Sequence, residues 1–173
     1  MQWYLDHDCV ALMEVPQGLE LSLDSRHYPY VTSRNIDISS ALSNAMVHPY
    51  YLGKVAVIIR TLPIRVGNII NKDNIIIGES GPVYEDMSEL SWDDIGINPE
   101  KTTVTNRNRR IFSFSMRQYK YMLNRLRPDY ILLNFANYLN NIQLKTLLEL
   151  TPEITHIGFG ASPDRIYCNH IFQ

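Results

Sequence analysis

KVAVIIRTL, residues 54–62, has a core of β-branched and aliphatic residues and contains neither glycine nor proline. Such a run is typical of a buried strand. Two further apolar runs, YILLNF at residues 130–135 and ITHIG at residues 154–158, predict buried strands of the same kind. A fourth, CVALMEV at residues 9–15, ends at Pro16 and predicts a strand that leads into a tight loop.

Helices are predicted between these strands. Asp37 can cap a short helix over residues 39–47, which His48 and Pro49 end. Ser115 can cap a helix that reaches about Arg125, and residues 143–150 form a third. Alternating strands and helices predict an α/β fold with a largely parallel sheet and flanking helices, in one domain over residues 1–173. Residues 67–101 are rich in Gly, Pro, Asn, Asp and Glu and predict an irregular surface region with one short strand.

Composition excludes several classes of protein. The net charge is -2, with 45% hydrophobic and 20% charged residues, so no overall field draws the chain to nucleic acid or to an anionic membrane. No apolar run approaches the roughly 18 residues of a membrane span. The N-terminus MQWYLDHDC lacks the basic cluster of a signal peptide, so we expect a cytoplasmic protein with both cysteines reduced. The five histidines show no metal-ligand spacing, and no GxxxxGK[ST] phosphate loop occurs.

The sharpest polar feature is TTVTNRNRR at residues 102–110, where three arginines follow three threonines. Guanidinium groups bind carboxylates and phosphates in bidentate fashion, and hydroxyl groups can complete such an anion site. A solvated basic turn before a helix is the alternative interpretation, and the segment alone does not decide between them.

Four weaker segments could also bind a ligand. They are EVPQG at residues 14–18, YPYVTS at residues 28–33, IRVG at residues 64–67 and GFGASPDR at residues 158–165. EVPQG, IRVG and GFGASPDR each follow a predicted strand, and strand ends are where open α/β sheets bind ligands. YPYVTS lies in a loop, where the hydroxyls of Thr32 and Ser33 could hold a phosphate. EVPQG could instead be a capped loop, and GFGASPDR could equally be a plain turn.

Taken in chain order, these segments resemble the adenylosuccinate synthetase family over residues 11–166, which match the later half of a family enzyme. The most specific likeness joins YPYVTSRN at residues 28–35, which is almost the family's YPYVTSSN, to TNRNRR at residues 105–110, which resembles its aspartate loop TGRPRR. The shorter likenesses are ALMEVPQG to a strand ending in EGAQG, IRVG to TRVG, and IGFG with PDR to IGxGPxR. The resemblance implies a partial, largely parallel sheet like the C-terminal half of that fold, which is similar to P-loop NTPases.

The family joins the amino group of L-aspartate to C6 of a purine nucleotide and uses a nucleoside triphosphate to form a 6-phosphoryl intermediate. The resemblance therefore implies a role in purine biosynthesis, with site residues in four groups. They are Gln17 and Leu21 on the purine nucleotide with Thr32 on its 5'-phosphate, Val66 and Gly67 at the ribose, Thr105, Arg107 and Arg109 on aspartate, and Asn134, Gly160 and Pro163 near the base of the triphosphate.

The departures from the family are as informative. The catalytic aspartate, the histidine and the phosphate-loop lysine belong to the N-terminal half, which has no counterpart here, so no catalytic residue is expected in this chain. GTP or ATP as co-substrate, and Mg2+, are expected only together with that half. The family's KLD motif, whose aspartate reads guanine, aligns near Asn134-Phe135-Ala136. The alanine side chain cannot accept a hydrogen bond from guanine. The loss of this aspartate resembles the viral branch of the family, which uses dGMP. The sequence leaves open whether the nucleotide is IMP or dGMP and whether the triphosphate is GTP or ATP.

Three hypotheses follow. The chain is the substrate-binding half of a ligase that a separately encoded N-terminal half completes, or a non-catalytic purine-nucleotide sensor or sponge on the same scaffold, or a decayed fragment. Part of a parallel sheet should expose an apolar edge or face, because such sheets need both faces covered. We therefore expect the chain to oligomerise or to need a partner, with Trp3, Tyr4 and the aromatics of residues 28–30 as candidate contacts. A homodimer is the family expectation.

Overall fold

The computed structural model describes residues 10–73 and 75–169. Within these ranges the chain forms nine strands and three α-helices, joined by loops and 3-10 turns. In chain order the elements are β1 (Ala56–Arg60), β2 (Ile64–Arg65), β3 (Ile69–Ile70), β4 (Ile76–Gly78), β5 (Glu89–Leu90), β6 (Arg110–Phe112), β7 (Tyr130–Asn134), β8 (His156–Gly158) and β9 (Ile166–Cys168), with helices α1 (Ile38–Asn44), α2 (Met116–Leu126) and α3 (Asn141–Leu150).

The main sheet has the order β1-β7-β8-β9. Strands β1, β7 and β8 are parallel, and β9 pairs antiparallel with β8. Val57 lies opposite Ile131, and Leu133 lies opposite Ile157, so apolar residues of three strands share one face. The predicted α/β class with a largely parallel sheet and flanking helices is confirmed. Strand β9 was not predicted.

Helices α2 and α3 cover one face of this sheet. The cap of α2 is Ser115, whose hydroxyl accepts a hydrogen bond from the Gln118 amide at 2.9 Å, as predicted. Helix α3 begins before the predicted residue 143, because Asn140 and Gln143 form a reciprocal capping box. The buried residues of this main core are Tyr119, Met122, Ile131, Leu133, Ala136, Leu144, Leu147, Ile154 and Ile157.

Helix α1 is shorter than predicted. Its cap is confirmed, because Asp37 Oδ1 accepts from the Ser40 amide at 2.8 Å. The helix ends at Asn44 instead of Val47, since Met46 adopts a left-handed backbone with φ 52° that interrupts the helical ladder.

The opposite face of the sheet is open at β1. Among the described strands β1 pairs only with β7, and Ile58 at its centre is 70% exposed. Tyr130 on the neighbouring strand is also exposed. Strand β1 and its exposed apolar residues form the apolar edge expected of a partial parallel sheet. Of the aromatic candidates for a contact, Tyr28 and Tyr30 are exposed, whereas Trp3 and Tyr4 lie outside the described residues.

A second, antiparallel sheet of order β2-β6-β5 packs on a smaller core of Leu62, Trp92 and Ile111. The prediction of one short strand in residues 67–101 was wrong, since β3, β4 and β5 all fall there. The β3-β4 ribbon forms because the Asn71 side chain accepts hydrogen bonds from the Asp73 and Ile75 amides, both at 2.9 Å, and so closes a turn.

The strand predicted at residues 9–15 is absent from the part that the structure describes. Cys9 lies outside the described residues, and residues 10–16 have no regular structure. Val10 and Leu12 are almost fully exposed. An apolar run becomes a strand only beside a second strand, and these residues find none among the described strands.

None of the helices in the described ranges combines the length and apolarity that a membrane crossing requires.

Candidate functional site

The ends of parallel strands bring the proposed triphosphate-base residues together. Asn134 ends β7 and Gly158 ends the adjacent β8. A Cβ on Gly158 would lie 2.6 Å from Asn134 Oδ1, so the glycine lets the two strand ends approach closely. The loop after β8 then folds back, since the Phe159 amide donates to the Arg165 carbonyl at 3.0 Å. Asn134 and the loop carrying Gly160 and Pro163 therefore lie at one edge of the sheet.

An arginine that sequence reasoning did not select lies at the same edge. Arg60 ends β1, and its guanidinium lies 3.8 Å from the centre of the Phe135 ring. It also forms an ion pair with Glu100, whose carboxylate accepts from the Tyr138 hydroxyl at 3.0 Å. The sequence did carry a signal for Arg60, because this arginine lies near the end of the strand predicted at residues 54–62.

Glu100 connects this edge to the arginine loop, residues 102–109. Its backbone carbonyl accepts from the Arg109 amide at 2.7 Å, and the Arg109 carbonyl accepts from Trp92 Nε1 at 2.6 Å. The backbone of Arg109 is therefore held between Glu100 and Trp92, which fixes where its side chain begins.

The threonines of the arginine loop mainly shape the loop itself. The hydroxyls of Thr102 and Thr105 lie 2.6 Å apart, and the Arg107 amide donates to Thr102 Oγ1 at 3.0 Å. Asn106 takes a left-handed backbone with φ 50°, and Lys101 bridges to Asn108. The hydroxyl of Thr105, proposed to contact aspartate, is thus already paired with its neighbour.

The three arginines of this segment have different surroundings. Arg110 donates to both carboxylate oxygens of Glu89, at 2.8 and 2.6 Å, and to Ser80 Oγ at 3.0 Å. Within the described part of the chain, the guanidinium groups of Arg107 and Arg109 make no ion pair or hydrogen bond. Two of the three cations are therefore available to a ligand, and the third serves the fold.

Gly67 brings the proposed ribose residues against the arginine loop. A Cβ on Gly67 would lie 2.4 Å from the Asn108 carbonyl oxygen and 3.6 Å from Arg107 Cβ. Val66, next to Gly67, is 51% exposed. The ribose and aspartate groups, which lie far apart in sequence, thus form one surface.

The loop at residues 28–32 is tied to the same surface. Tyr30 packs on Gly81, where a Cβ would lie 2.6 Å from both Tyr30 Cγ and Arg65 Nη2. Arg65, which ends β2, donates to the Ser80 carbonyl at 2.8 Å. The Thr32 amide donates to the Leu21 carbonyl at 2.7 Å, so two of the proposed nucleotide residues are in direct backbone contact.

Gln17 is the least anchored of the proposed residues. It is exposed and has a left-handed backbone with φ 70°. It precedes the 3-10 turn Leu19–Leu21, in which the Leu21 amide donates to the Gly18 carbonyl at 2.8 Å. The turn places Gln17 near Leu21 in the chain, but the structure gives its side chain no contact with the other proposed residues.

A cluster of buried polar residues beneath the 28–32 loop was not predicted. His27 Nε2 lies 2.7 Å from Glu20 Oε2, and the Tyr84 hydroxyl donates to the other oxygen of the same carboxylate. His27 and Tyr84 are both 6% exposed, and their rings meet edge to face at 5.8 Å. We call Glu20, His27 and Tyr84 the buried triad.

The charges around the buried triad act on the pKa of His27. Burial lowers this pKa from its ordinary value of 6.5, and the nearby Arg26 and Arg65 lower it further, while Glu20 opposes the shift. Burial also raises the pKa of the Tyr84 hydroxyl, with Glu20 acting in the same direction. Both side chains are therefore uncharged near neutral pH, and the Tyr84 hydroxyl donates to the Glu20 carboxylate.

Stability should fall as the pH drops through the histidine range. In the unfolded chain His27 takes up a proton near its ordinary pKa of 6.5, whereas the folded chain resists protonation, so acid favours unfolding. The melting temperature of the wild type should decrease between about pH 7.5 and 5.5. Replacing His27 with glutamine should reduce that slope. Equal slopes in the wild type and the variant would contradict this assignment.

Among the described residues no group of three or more His, Cys, Asp or Glu side chains is arranged to hold a metal ion.

Comparison with known proteins gives consistent matches. A sequence model of the adenylosuccinate synthetase family matches residues 1–147. The N6-succino-2-amino-2'-deoxyadenylate synthase of Acinetobacter phage SH-Ab 15497 is 40% identical over 159 residues, which are 89% of this chain and 41% of the phage protein. The adenylosuccinate synthetase of Pyrococcus horikoshii is 34% identical over 122 residues, which are 69% of this chain and 32% of the archaeal protein.

A solved structure has the same fold. The succinoaminodeoxyadenylate synthetase (PurZ) of cyanophage S-2L, bound to dGMP and to dATP as an energy donor, superposes with a TM-score of 0.79 and 32% sequence identity. The match covers 90% of this chain and 45% of the cyanophage protein. The chain thus spans about two fifths of the length of the phage relatives that it matches.

Proposed function

This chain belongs to the adenylosuccinate synthetase family, and we propose that it supplies the purine-nucleotide-binding and aspartate-binding part of a ligase of that family. The observation that carries the proposal is the contact of Gly67 with the arginine loop. It joins the proposed ribose residues to a loop with two guanidinium groups that make no ion pair or hydrogen bond to any described residue. A nucleotide and an amino acid that are to be joined must bind side by side, because holding two reactants together removes much of the entropy cost of their reaction.

The nucleotide that we propose is dGMP. The phage relatives are named for a 2-amino-2'-deoxyadenylate product, and the solved cyanophage relative binds dGMP. In this chain the 28–32 loop, with Thr32 and Leu21 in backbone contact, would receive the 5'-phosphate end, and Val66 with Gly67 would face the sugar. Gln17 would reach the base from its exposed turn.

The triphosphate that we propose is an adenine nucleotide. Ala136 takes the place that resembles the guanine-reading aspartate of the family, and it is 1% exposed, so it offers guanine no side-chain acceptor. Asn134 Oδ1 already accepts from the Phe135 amide at 2.8 Å. The cyanophage relative, bound to dATP as an energy donor, supports the same choice.

L-aspartate would bind at the arginine loop. Its two carboxylates match the two unpaired guanidinium groups of Arg107 and Arg109, since arginine and carboxylate pair through two parallel hydrogen bonds. Arg110 has no such role in the proposal, because Glu89 and Ser80 already occupy its donors.

The groups that handle the triphosphate would come from the remainder of the family enzyme, in the same polypeptide or in a second one. The resemblance to the family places Mg2+ with that remainder. The open β1 edge, with Ile58 exposed, is where we propose that the remainder packs. A second copy of the chain is the alternative occupant of this edge.

Nucleotide binding can be tested by titration calorimetry of the purified chain with dGMP and with IMP. We expect saturable binding of dGMP. Thr32→Ala should weaken it roughly tenfold to a hundredfold, because a hydrogen bond to a charged group contributes about 1.5–3 kcal/mol. Thr103→Ala, which removes an exposed hydroxyl of the arginine loop, is the control and should bind like the wild type. If the chain bound neither dGMP nor IMP, the result would contradict the proposal.

A further inference from the structure

The buried triad lies between the two ends of the 28–32 loop. Glu20 immediately precedes Leu21, whose carbonyl accepts from the Thr32 amide at 2.7 Å. His27 precedes the loop, and its carbonyl accepts from the Tyr30 amide at 2.8 Å. These two backbone hydrogen bonds of the loop therefore end on, or next to, a residue whose side chain belongs to the triad.

We propose that the buried triad is a positioning unit, which holds the 28–32 loop in the shape that receives the phosphate of the purine nucleotide. This inference rests on the proposed function and adds to it a set of residues that do not themselves contact the ligand. Neither the sequence motifs nor the comparisons with relatives assign Glu20, His27 or Tyr84 a role.

The triad joins three separate segments of the chain through one carboxylate. Glu20 comes from the 3-10 turn, His27 is the residue before the 28–32 loop, and Tyr84 comes from the segment after Gly81. The last segment also supports the loop from the other side, because Tyr30 packs on Gly81. Tyr84 donates the hydrogen bond to Glu20 Oε1, whereas Glu20 Oε2 lies beside His27 Nε2 without a hydrogen bond among the described residues. Loss of the Tyr84 hydroxyl would therefore leave the charge of this carboxylate without a side-chain donor.

Two arginines surround the triad. The Arg26 guanidinium lies 4.0 Å from the centre of the Tyr84 ring, and Arg65 lines the same cavity as Glu20 and His27. These cations offset the single negative charge of Glu20. The groups beside the carboxylate are then best neutral and polar, as a tyrosine and a neutral histidine are. Glutamine at position 27 would also be neutral and polar, whereas leucine would be apolar.

The chain contains a matched control for this proposal. Tyr119 is 4% exposed and donates its hydroxyl to Glu153 at 3.0 Å, as Tyr84 donates to Glu20. Tyr119 belongs to the main core under α2, away from the loop. Tyr84→Phe and Tyr119→Phe thus remove the same chemical group from equally buried sites.

The test compares these variants by amide hydrogen exchange of Tyr30 and Thr32, followed by NMR, and by calorimetric titration with dGMP. In Tyr84→Phe we expect roughly tenfold faster exchange of both amides and about tenfold weaker binding of dGMP. Tyr119→Phe should change the melting temperature to a similar extent while leaving both loop readouts unchanged. Equal effects of the two variants on the loop would overturn the proposal.

Variants at position 27 provide the rescue experiment. His27→Leu should speed the exchange of the loop amides and weaken the binding of dGMP, as Tyr84→Phe does. His27→Gln should keep both readouts within about threefold of the wild type. A glutamine variant as impaired as the leucine variant would overturn the proposal. If the wild type binds no dGMP, the proposed function fails, but the exchange of the Tyr30 and Thr32 amides still decides whether the triad holds the loop.

Discussion

Gly67→Ala is expected to weaken dGMP binding at least about tenfold and to destabilise the fold by about 1–3 kcal/mol. The added Cβ would lie 2.4 Å from the Asn108 carbonyl oxygen, a contact that real Cβ atoms do not make. Because the opposing atom belongs to the backbone, no side-chain rotation relieves the clash. Either residues 66–67 or the arginine loop must move, and the surface that joins the two groups opens.

Gly53→Ala is the matched control for this substitution. A Cβ at Gly53 would meet no atom within 4 Å, so the alanine should leave both stability and dGMP affinity unchanged. Chemical denaturation and calorimetric titration of the two variants separate a steric effect at Gly67 from a general effect of replacing glycine. Similar results for both variants would show that the approach of Gly67 to Asn108 is not needed for the site.

Arg107→Ala is expected to raise the KM for aspartate roughly tenfold to a hundredfold in a ligase assay, with little change in stability. The side chain is exposed and makes no ion pair with the described residues, so its removal leaves the fold intact. A lost pair between a guanidinium and a carboxylate contributes about 1.5–3 kcal/mol to binding, which corresponds to that change in KM.

Substitutions of two other arginines are expected to differ from Arg107→Ala in their effects. Arg110→Ala should lower stability, because Glu89 and Ser80 lose their partner. Arg117 lies on α2 and forms an exposed ion pair with Glu85. Arg117→Ala removes this pair and should change neither the KM for aspartate nor the stability by a measurable amount. If Arg110→Ala alone impaired aspartate use without loss of stability, the assignment of the ligand to Arg107 and Arg109 would be wrong.

The central part of the fold could be predicted from the sequence because its signals are local. The runs around Val57, Ile131 and Ile157 are apolar and β-branched, and they became neighbouring parallel strands. The helix cap at Ser115 could also be predicted from the sequence, because it depends on one hydroxyl and the amide three residues later. The apolar run at residues 10–15 carried the same signal but has no neighbouring strand among the described residues, which a local pattern cannot reveal.

The candidate site was only partly predictable for the same physical reason. The sequence indicated an arginine loop but could not tell Arg110 from Arg107, since Glu89 approaches Arg110 through the pairing of β5 with β6. The buried triad was missed entirely, because Glu20 and Tyr84 are far apart in the chain and meet only through tertiary packing. Contacts of this kind carry no spacing rule.

The most direct test of the central claim is reconstitution of the ligase reaction. The chain would be mixed with the separately produced remainder of the Acinetobacter phage relative, dGMP, L-aspartate, ATP and Mg2+, and the succinylated nucleotide would be measured by mass spectrometry. We predict product only when both polypeptides are present, with product strongly reduced in the Arg107→Ala variant. If the two polypeptides associate and the chain binds dGMP, yet no product forms, the chain is a nucleotide-binding protein and not part of a ligase.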